Sequence, residues 1–241
     1  MCKKRNQQNF RRKKAVFSWS GGKDSALALQ KILEDKNYEV IALMTTVQKD
    51  NKESSIHDIP YSLLKKQANS IGLPLYTIPL QKEFTSYKEA IKKTVLYFKK
   101  LGVTHFIYGD IFLEDVKKYR ESLLNEMNIE VVQPLWGKTS EKVVKEFLQS
   151  GLKAKIIITQ AEKLKKEYIG KALDNSFFKL LPKNIEICVE YGEFHSFVYD
   201  GPLFKYAIKN EIVGIELISH RFKMANGNFK SFYYWKGFLS E

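Results

Sequence analysis

The chain has 241 residues, 44% of them apolar and 28% charged, which suits a globular protein of one large domain or two modest ones. No apolar run reaches the ~18 residues of a membrane span and the basic start lacks the apolar segment of a signal peptide, so a cytoplasmic location and no membrane partner are expected. Two cysteines without a C-x-x-C pair exclude a disulfide framework and a zinc ribbon, while a formal charge of +13 leaves a nucleic-acid partner open.

In chain order, residues 1–14 come first and carry Lys3, Lys4, Arg5, Arg11, Arg12, Lys13 and Lys14 with no acid. They lack a periodic apolar pattern and read as a disordered, solubilising tail, or as an arm drawn to RNA phosphates. Beyond the tail, apolar runs alternate with amphipathic segments. Strands at Ala15–Ser20, Tyr38–Val47, Pro74–Leu80, Val103–Tyr108 and Ile129–Val132 enclose helices at Asp24–Asp35, Asp58–Ile71, Glu83–Lys100 and Leu113–Met127. Strands joined by helices of this length predict an α/β class, a parallel sheet with helices on both faces. Ligands of such sheets lie beyond the carboxyl ends of the strands, where Ser18–Ser25 and Gly109–Asp110 fall.

Pro134 and Gly137 in "QPLWGK" punctuate the chain and divide a domain at 15–134 from a smaller α+β domain at 135–241. A helix at Glu141–Ser150 and a strand at Ala154–Thr159 continue the earlier style. From Ile185 the chain becomes β-rich, with "FHSFVYDGPLF", "IVGIELISHRF" and "FKSFYYWKGF" separated by Asp200–Gly201 and Asn226–Gly227. Both dipeptides favour tight turns, so antiparallel hairpins are expected at each. Cys188 reads as a small buried residue rather than a nucleophile. The alternating "FYYW" predicts a strand in the core or at an interface.

The segment "AVFSWSGGKDSALAL" carries the chemistry. Gly21 and Gly22 remove β-carbons where a strand becomes a helix, so backbone N–H groups can converge on an anion at the positive helix end. Ser20 and Ser25 add hydroxyls, and Lys23 can neutralise charge or be solvated. The spacing is neither a Walker A loop nor a G-x-G-x-x-G turn.

The S-G-G-K-D-S run resembles the pyrophosphate loop of the PP-loop ATP pyrophosphatases, whose fold is adenine nucleotide alpha hydrolase-like and whose members adenylate a carbonyl or amide oxygen. "SSIHDIPYSLLKKQANSIGLPL", "YGDIFLEDVKKYRESLL" and "PLWGK" are similar to segments of one family in that group. "CVEYGEFHSFVYDGPLF" is similar to the C-G-E-x-G-E-[FY]-H-T signature of the same family, the diphthine–ammonia ligases. The resemblance runs from about Ala15 to Leu203, with Val189 at a usual glycine and Ser196 at a usual threonine.

That resemblance implies ATP held around Ser18, Trp19, Ser20, Gly21, Gly22, Lys23, Asp24, Ser25, Met44, His57, Gly109 and Asp110, with Asp24 and Asp110 orienting Mg²⁺. It implies Glu190, Glu193 and His195 as catalytic groups that hold ammonium and take its proton. The reaction implied is a two-step amidation: the diphthine carboxylate of a protein resembling elongation factor 2 attacks the α-phosphorus of ATP, then ammonia displaces AMP. A homodimer is open. On spacing alone, Glu193 and His195 share a strand face and fit a solvated hairpin edge equally well. Arg120 fits a surface ion pair as well as a phosphate ligand, and His57 a structural loop residue. Two other readings stand beside the ligase: a tRNA-modifying adenylating enzyme, and a regulatory module that binds ATP without cleaving it.

Overall fold

The computed structural model describes residues 12–48, 54, 58–80, 85–188, 190, 192–223 and 227–240. At its centre is β1 (Lys13–Ser18), in which Ala15, Val16 and Phe17 are wholly buried, the unbroken apolar run of a parallel strand covered on both faces. The strand starts two residues earlier than predicted. Lys13 and Lys14, read above as tail, pair with Tyr38 and Glu39 of β2 (Tyr38–Gln48). Trp19 and Ser20 leave the strand for the loop, because the left-handed Gly21 that follows ends the ladder.

β3 (Leu75–Leu80), β4 (His105–Ile107) and β5 (Glu130–Val132) complete a parallel sheet in the order β3-β2-β1-β4-β5. α1 (Lys23–Glu34) and α2 (Tyr61–Ile71) pack Leu29, Leu63 and Leu64 with Phe17 on one side. α3 (Thr85–Lys100) and α4 (Glu114–Asn125) pack Val95, Phe98, Leu123 and Leu124 with Val16 on the other. The α/β class expected from the alternation is the class the chain adopts. Strand order reverses between β1 and β4, so the loops after these two strands flank one crevice at the carboxyl edge.

The second unit opens with α5 (Ser140–Gln149), capped by Thr139, whose side chain accepts from the Lys142 amide. β6 (Lys153–Gln160) does not continue the parallel sheet. It joins β7 (Phe194–Asp200), β8 (Ile212–Lys223) and β9 (Phe229–Leu239) in an antiparallel sheet of order β7-β6-β9-β8. The hairpin expected near Gly227 forms between β8 and β9; Asn226 lies outside the described residues. No hairpin forms at Asp200–Gly201, because β6 and β9 stand between β7 and β8. Instead the chain leaves β7 and is tied down on α2, where the Lys205 amide donates to Ser70 O at 3.0 Å, before β8 begins. A short α6 (Asn175–Leu180) was not anticipated; Asp174 caps it by accepting from the Phe177 amide.

One core joins the two sheets: Phe17, Trp19 and Leu64 belong to the same apolar cluster as Phe147, Ile156, Phe194 and Val198. Cys188 is buried, as read from the sequence. "FYYW" lies on β9, where Tyr234 and Trp235 pack against the core as expected while Tyr233 is 49% exposed. Among the described residues no helix is long and apolar enough to cross a membrane.

Candidate active site at the carboxyl edge of the parallel sheet

The loop after β1 is shaped by Gly21, whose φ of +81° lies in the left-handed region. A Cβ there would stand 2.9 Å from both Gln67 Oε1 and Leu64 Cδ2, so shape and space both demand glycine. Gln67, wholly buried on α2, accepts the Trp19 indole N–H at 2.9 Å and donates to Gly21 O at 3.1 Å and Val198 O at 2.6 Å. The Val198 amide also donates to Gly21 O, at 2.9 Å. The loop is thereby fastened to α2 and to β7. Gln67 was not singled out from the sequence; its signal is a lone amide beside Leu63, Leu64 and Ala68 on a buried helix face.

Three loop amides each donate to a hydroxyl: Ser20 to Ser25 Oγ at 3.2 Å, Gly22 to Ser20 Oγ at 3.3 Å, and Lys23 to Ser196 Oγ at 3.1 Å. They gather where α1 begins with Gly22 as its N-cap, so amide dipoles and helix end favour an anion in the same place. Ser196 brings the second sheet into this group. Its hydroxyl does here what the threonine of the resembling signature could do.

Lys23 turns inward and is 2% exposed; its Nζ lies 2.7 Å from Asp24 Oδ2 and 2.7 Å from Cys188 O. Burial alone would lower its ammonium, but Asp24, Cys188 and Glu190 outweigh burial and hold it above its ordinary value. Asp24 Oδ1 is buried without a hydrogen-bond partner among the described residues. Burial lifts the Cys188 thiol to about 12, which keeps it from acting as a thiolate. Glu186, another residue not anticipated, accepts from the Cys188 and Glu190 amides at 2.9 and 3.0 Å and shapes this turn.

Beyond β4, an added Cβ on Gly109 would meet Ser25 N and Cα at 3.1 Å, so glycine lets this strand end lie against the first turn of α1. Asp110 Oδ1 lies 3.1 Å from Arg120 Nη2, and its Oδ2 accepts from Gln133 at 2.8 Å. The Arg120 guanidinium rests 3.9 Å above the centre of the Tyr108 ring. Glu190 Oε2 accepts from the Ile111 amide at 3.4 Å. Burial, followed by the charge of Asp24, raises the Glu190 carboxyl to about 7, a value suited to proton transfer at neutral pH.

The remaining predicted residues lie elsewhere. Ser18 and Met44 pair across β1 and β2, and the Met44 carbonyl accepts from the Trp19 amide at 2.8 Å. The Met44 side chain packs in the core on the α3–α4 side. His57 and Val189 lie outside the described residues. Glu193 is 2% exposed, with Oε1 held by Lys163 at 3.1 Å and Oε2 buried without a hydrogen-bond partner among the described residues. His195 follows Phe194 on β7, where alternation turns it away from the face on which Ser196 reaches Lys23. Glu190 is held beside Gly109 and Asp110 by the Ile111 amide, whereas Glu193 is tied to Lys163. Among the described residues no three His, Cys, Asp or Glu side chains form a metal-binding group.

Two family models match the chain: the Diphthamide synthase N-terminal domain over residues 13–131 and the Diphthamide synthase C-terminal domain over residues 139–229. The chain is 27% identical over 211 residues to the diphthine–ammonia ligase of Schizosaccharomyces pombe, covering 78% of this chain and 34% of that protein. It is 24% identical over 213 residues to the human diphthine–ammonia ligase, covering 78% of this chain and 79% of that one. The chain thus spans about a third of the yeast relative's length. A solved structure, the predicted subunit of tRNA methyltransferase from Methanocaldococcus jannaschii, aligns with a TM-score of 0.45 and 17% identity over 81% of this chain and 100% of its own.

Proposed function

Because the chain belongs to the diphthamide synthase family, we propose that it is an ATP-dependent, amide-forming ligase of the diphthine–ammonia type, working in the cytoplasm. The acceptor is the diphthine side chain of a protein resembling elongation factor 2. Its carboxylate oxygen attacks the α-phosphorus of ATP, a new O–P bond replaces the bond to the leaving pyrophosphate, and an acyl adenylate results. Ammonia then adds to the acyl carbon, the bond to AMP breaks, and the nitrogen gives up one proton.

The phosphates meet the N-terminus of α1 and the hydroxyls of Ser20 and Ser25 and take over the Ser20 and Gly22 amides from those hydroxyls, while the Lys23 amide stays with Ser196. Lys23 braces the loop against the backbone of Cys188. Glu190, with its carboxyl near 7, accepts the proton released by the attacking ammonia. Glu193 and His195 support the second sheet behind it. Mg²⁺ fits at Asp24, whose Oδ1 is a buried, unsatisfied carboxylate oxygen beside the loop, whereas both oxygens of Asp110 are taken by Arg120 and Gln133. When bound, the ion offsets phosphate charge.

The observation that carries this reading is a titratable carboxylate, Glu190, beside a cradle of amides at a helix N-terminus. The test measures AMP, pyrophosphate and amide from ATP, ammonium and diphthine-bearing elongation factor 2. Wild type is expected to form all three in equal amounts, and Gly21→Val, which puts a side chain where Gln67 and Leu64 already stand, to lose ATP binding. ATP cleavage to ADP, or no acceptor-dependent AMP, would overturn it.

A further inference from the structure

We propose that the outward face of the β8–β9 hairpin is a binding platform for single-stranded RNA. It lies outside the nucleotide site and does not depend on the ligase chemistry.

Residues 217–240 hold Arg221, Lys223, Lys230 and Lys236 and no acid, interleaved with aromatic residues. Such a stretch attracts a polyanion and offers flat rings to its bases. The register of the hairpin sorts these residues by face. Leu217, Ser219 and Arg221 of β8 lie opposite Trp235, Tyr233 and Ser231 of β9, and two-residue alternation carries the same face on to Phe229. Phe229 is 57% exposed and Tyr233 49%, and Ser219, Arg221 and Ser231 are exposed with them. The other face is the fastened one. There His220 Nε2 lies 2.8 Å from Asp58 Oδ2 ahead of α2, Lys236 is buried, and Tyr234 packs against the core. The fold thus turns one side of the hairpin to solvent.

That side has the parts a single strand needs. Phe229 and Tyr233 present rings for base stacking, and Trp235 continues the row toward β6. Successive same-face residues of a strand stand about 7 Å apart, a step that one nucleotide with its base splayed out takes up. The Arg221 guanidinium lies 4.5 Å from the centre of the Phe229 ring, so its N–H donors reach the phosphate of a base stacked beside it. Ser219 and Ser231 place hydroxyls among the rings, where a ribose 2′-hydroxyl pairs with them, and this favours RNA over DNA. A second copy of the chain is a poor occupant, because it brings the same cations and no acid from this stretch to answer them. The row leads toward the nucleotide loop: Trp235, Thr159 and Phe194 stand in register across β9, β6 and β7, and Lys23 Nζ lies 5.9 Å over the Phe194 ring.

The probe is a fluorescein-labelled oligouridylate about twelve nucleotides long, titrated into the full chain at about 50 mM salt and followed by anisotropy. Wild type is expected to bind it at least about threefold more tightly than the matching oligodeoxyuridylate, which lacks only the 2′-hydroxyls. Tyr233→Ala should weaken binding about tenfold, the scale of one lost base stack, and Tyr233→Phe should keep it. Arg221→Ala should lower the slope of log affinity against log salt by about 0.7, the share of one phosphate contact on a single strand. All three variants should melt with wild type and keep its ATP affinity within about threefold, because both side chains are exposed. No binding in wild type overturns the platform, as does binding that every variant retains, which would assign it to the basic residues 1–14. Equal affinity for the two oligonucleotides overturns RNA as the ligand. Phosphatidylserine vesicles that bind wild type but not Tyr233→Ala, with oligouridylate ignored, would make this face a membrane surface instead. A dimer that Tyr233→Ala splits would make it a contact between copies, and either result overturns the proposal.

Discussion

Glu190 shows how one residue can link stability to chemistry. Its carboxyl is raised from 4.5 to about 7, first by burial and then by Asp24. The folded protein therefore holds this proton more tightly than the unfolded chain does. Its contribution to stability is complete below about pH 4.5 and lost as the pH rises through about 7. Glu190→Gln cannot ionise, so in EDTA it should melt above wild type at pH 8, with the difference shrinking toward pH 5. Melting temperatures of both proteins across that range decide the matter, and a pH-independent difference would assign the effect to something else. Ser196 makes a simpler case: Ser196→Ala leaves the buried Lys23 amide without its acceptor, at a cost of about 1–2 kcal/mol in denaturant unfolding, and Ser196→Thr should restore it.

At the scale of elements, the loop after β1 is fastened to α2 and β7. Gln67 makes that connection with one accepted and two donated hydrogen bonds in a dry interior. Gln67→Leu keeps the volume but leaves the Trp19 indole without its acceptor and takes a donor from Gly21 O and Val198 O, of which Gly21 O keeps the Val198 amide, so a loss of about 1–3 kcal/mol is expected, with weaker ATP binding. Urea unfolding with ATP titration tests this; unchanged values would show that the loop holds its shape alone. The β8–β9 hairpin is built differently. β8 ends the second sheet and leaves Val213, Ile215 and Leu217 exposed, so Leu217→Lys should change unfolding by less than about 0.5 kcal/mol and reduce association at high concentration. A large destabilisation would mean that this face is covered in solution.

For the whole molecule, the shared core predicts one unfolding event. Trp19 in the loop and Trp235 on β9 belong to the same apolar cluster although they serve different sheets. Their fluorescence and the far-ultraviolet dichroism should therefore report a single, coincident heat transition, and ATP should move all of it upward. Two separated transitions would show that the sheets melt independently.

Local patterns determined much of this protein. Alternating strands and helices specified the α/β sheet, the glycine pair marked the turn after β1, and Asn226–Gly227 placed the last hairpin, because such signals depend on neighbours a few residues apart. Long-range packing alone settled that Lys23 turns inward to Cys188, that Ser196 caps its amide, that Glu190 meets the Ile111 amide while Glu193 meets Lys163, and that β6 joins the second sheet. The partners of Lys23 lie 165 and 173 residues away. No periodicity reaches that far, and the packing that joins such segments depends on the whole chain.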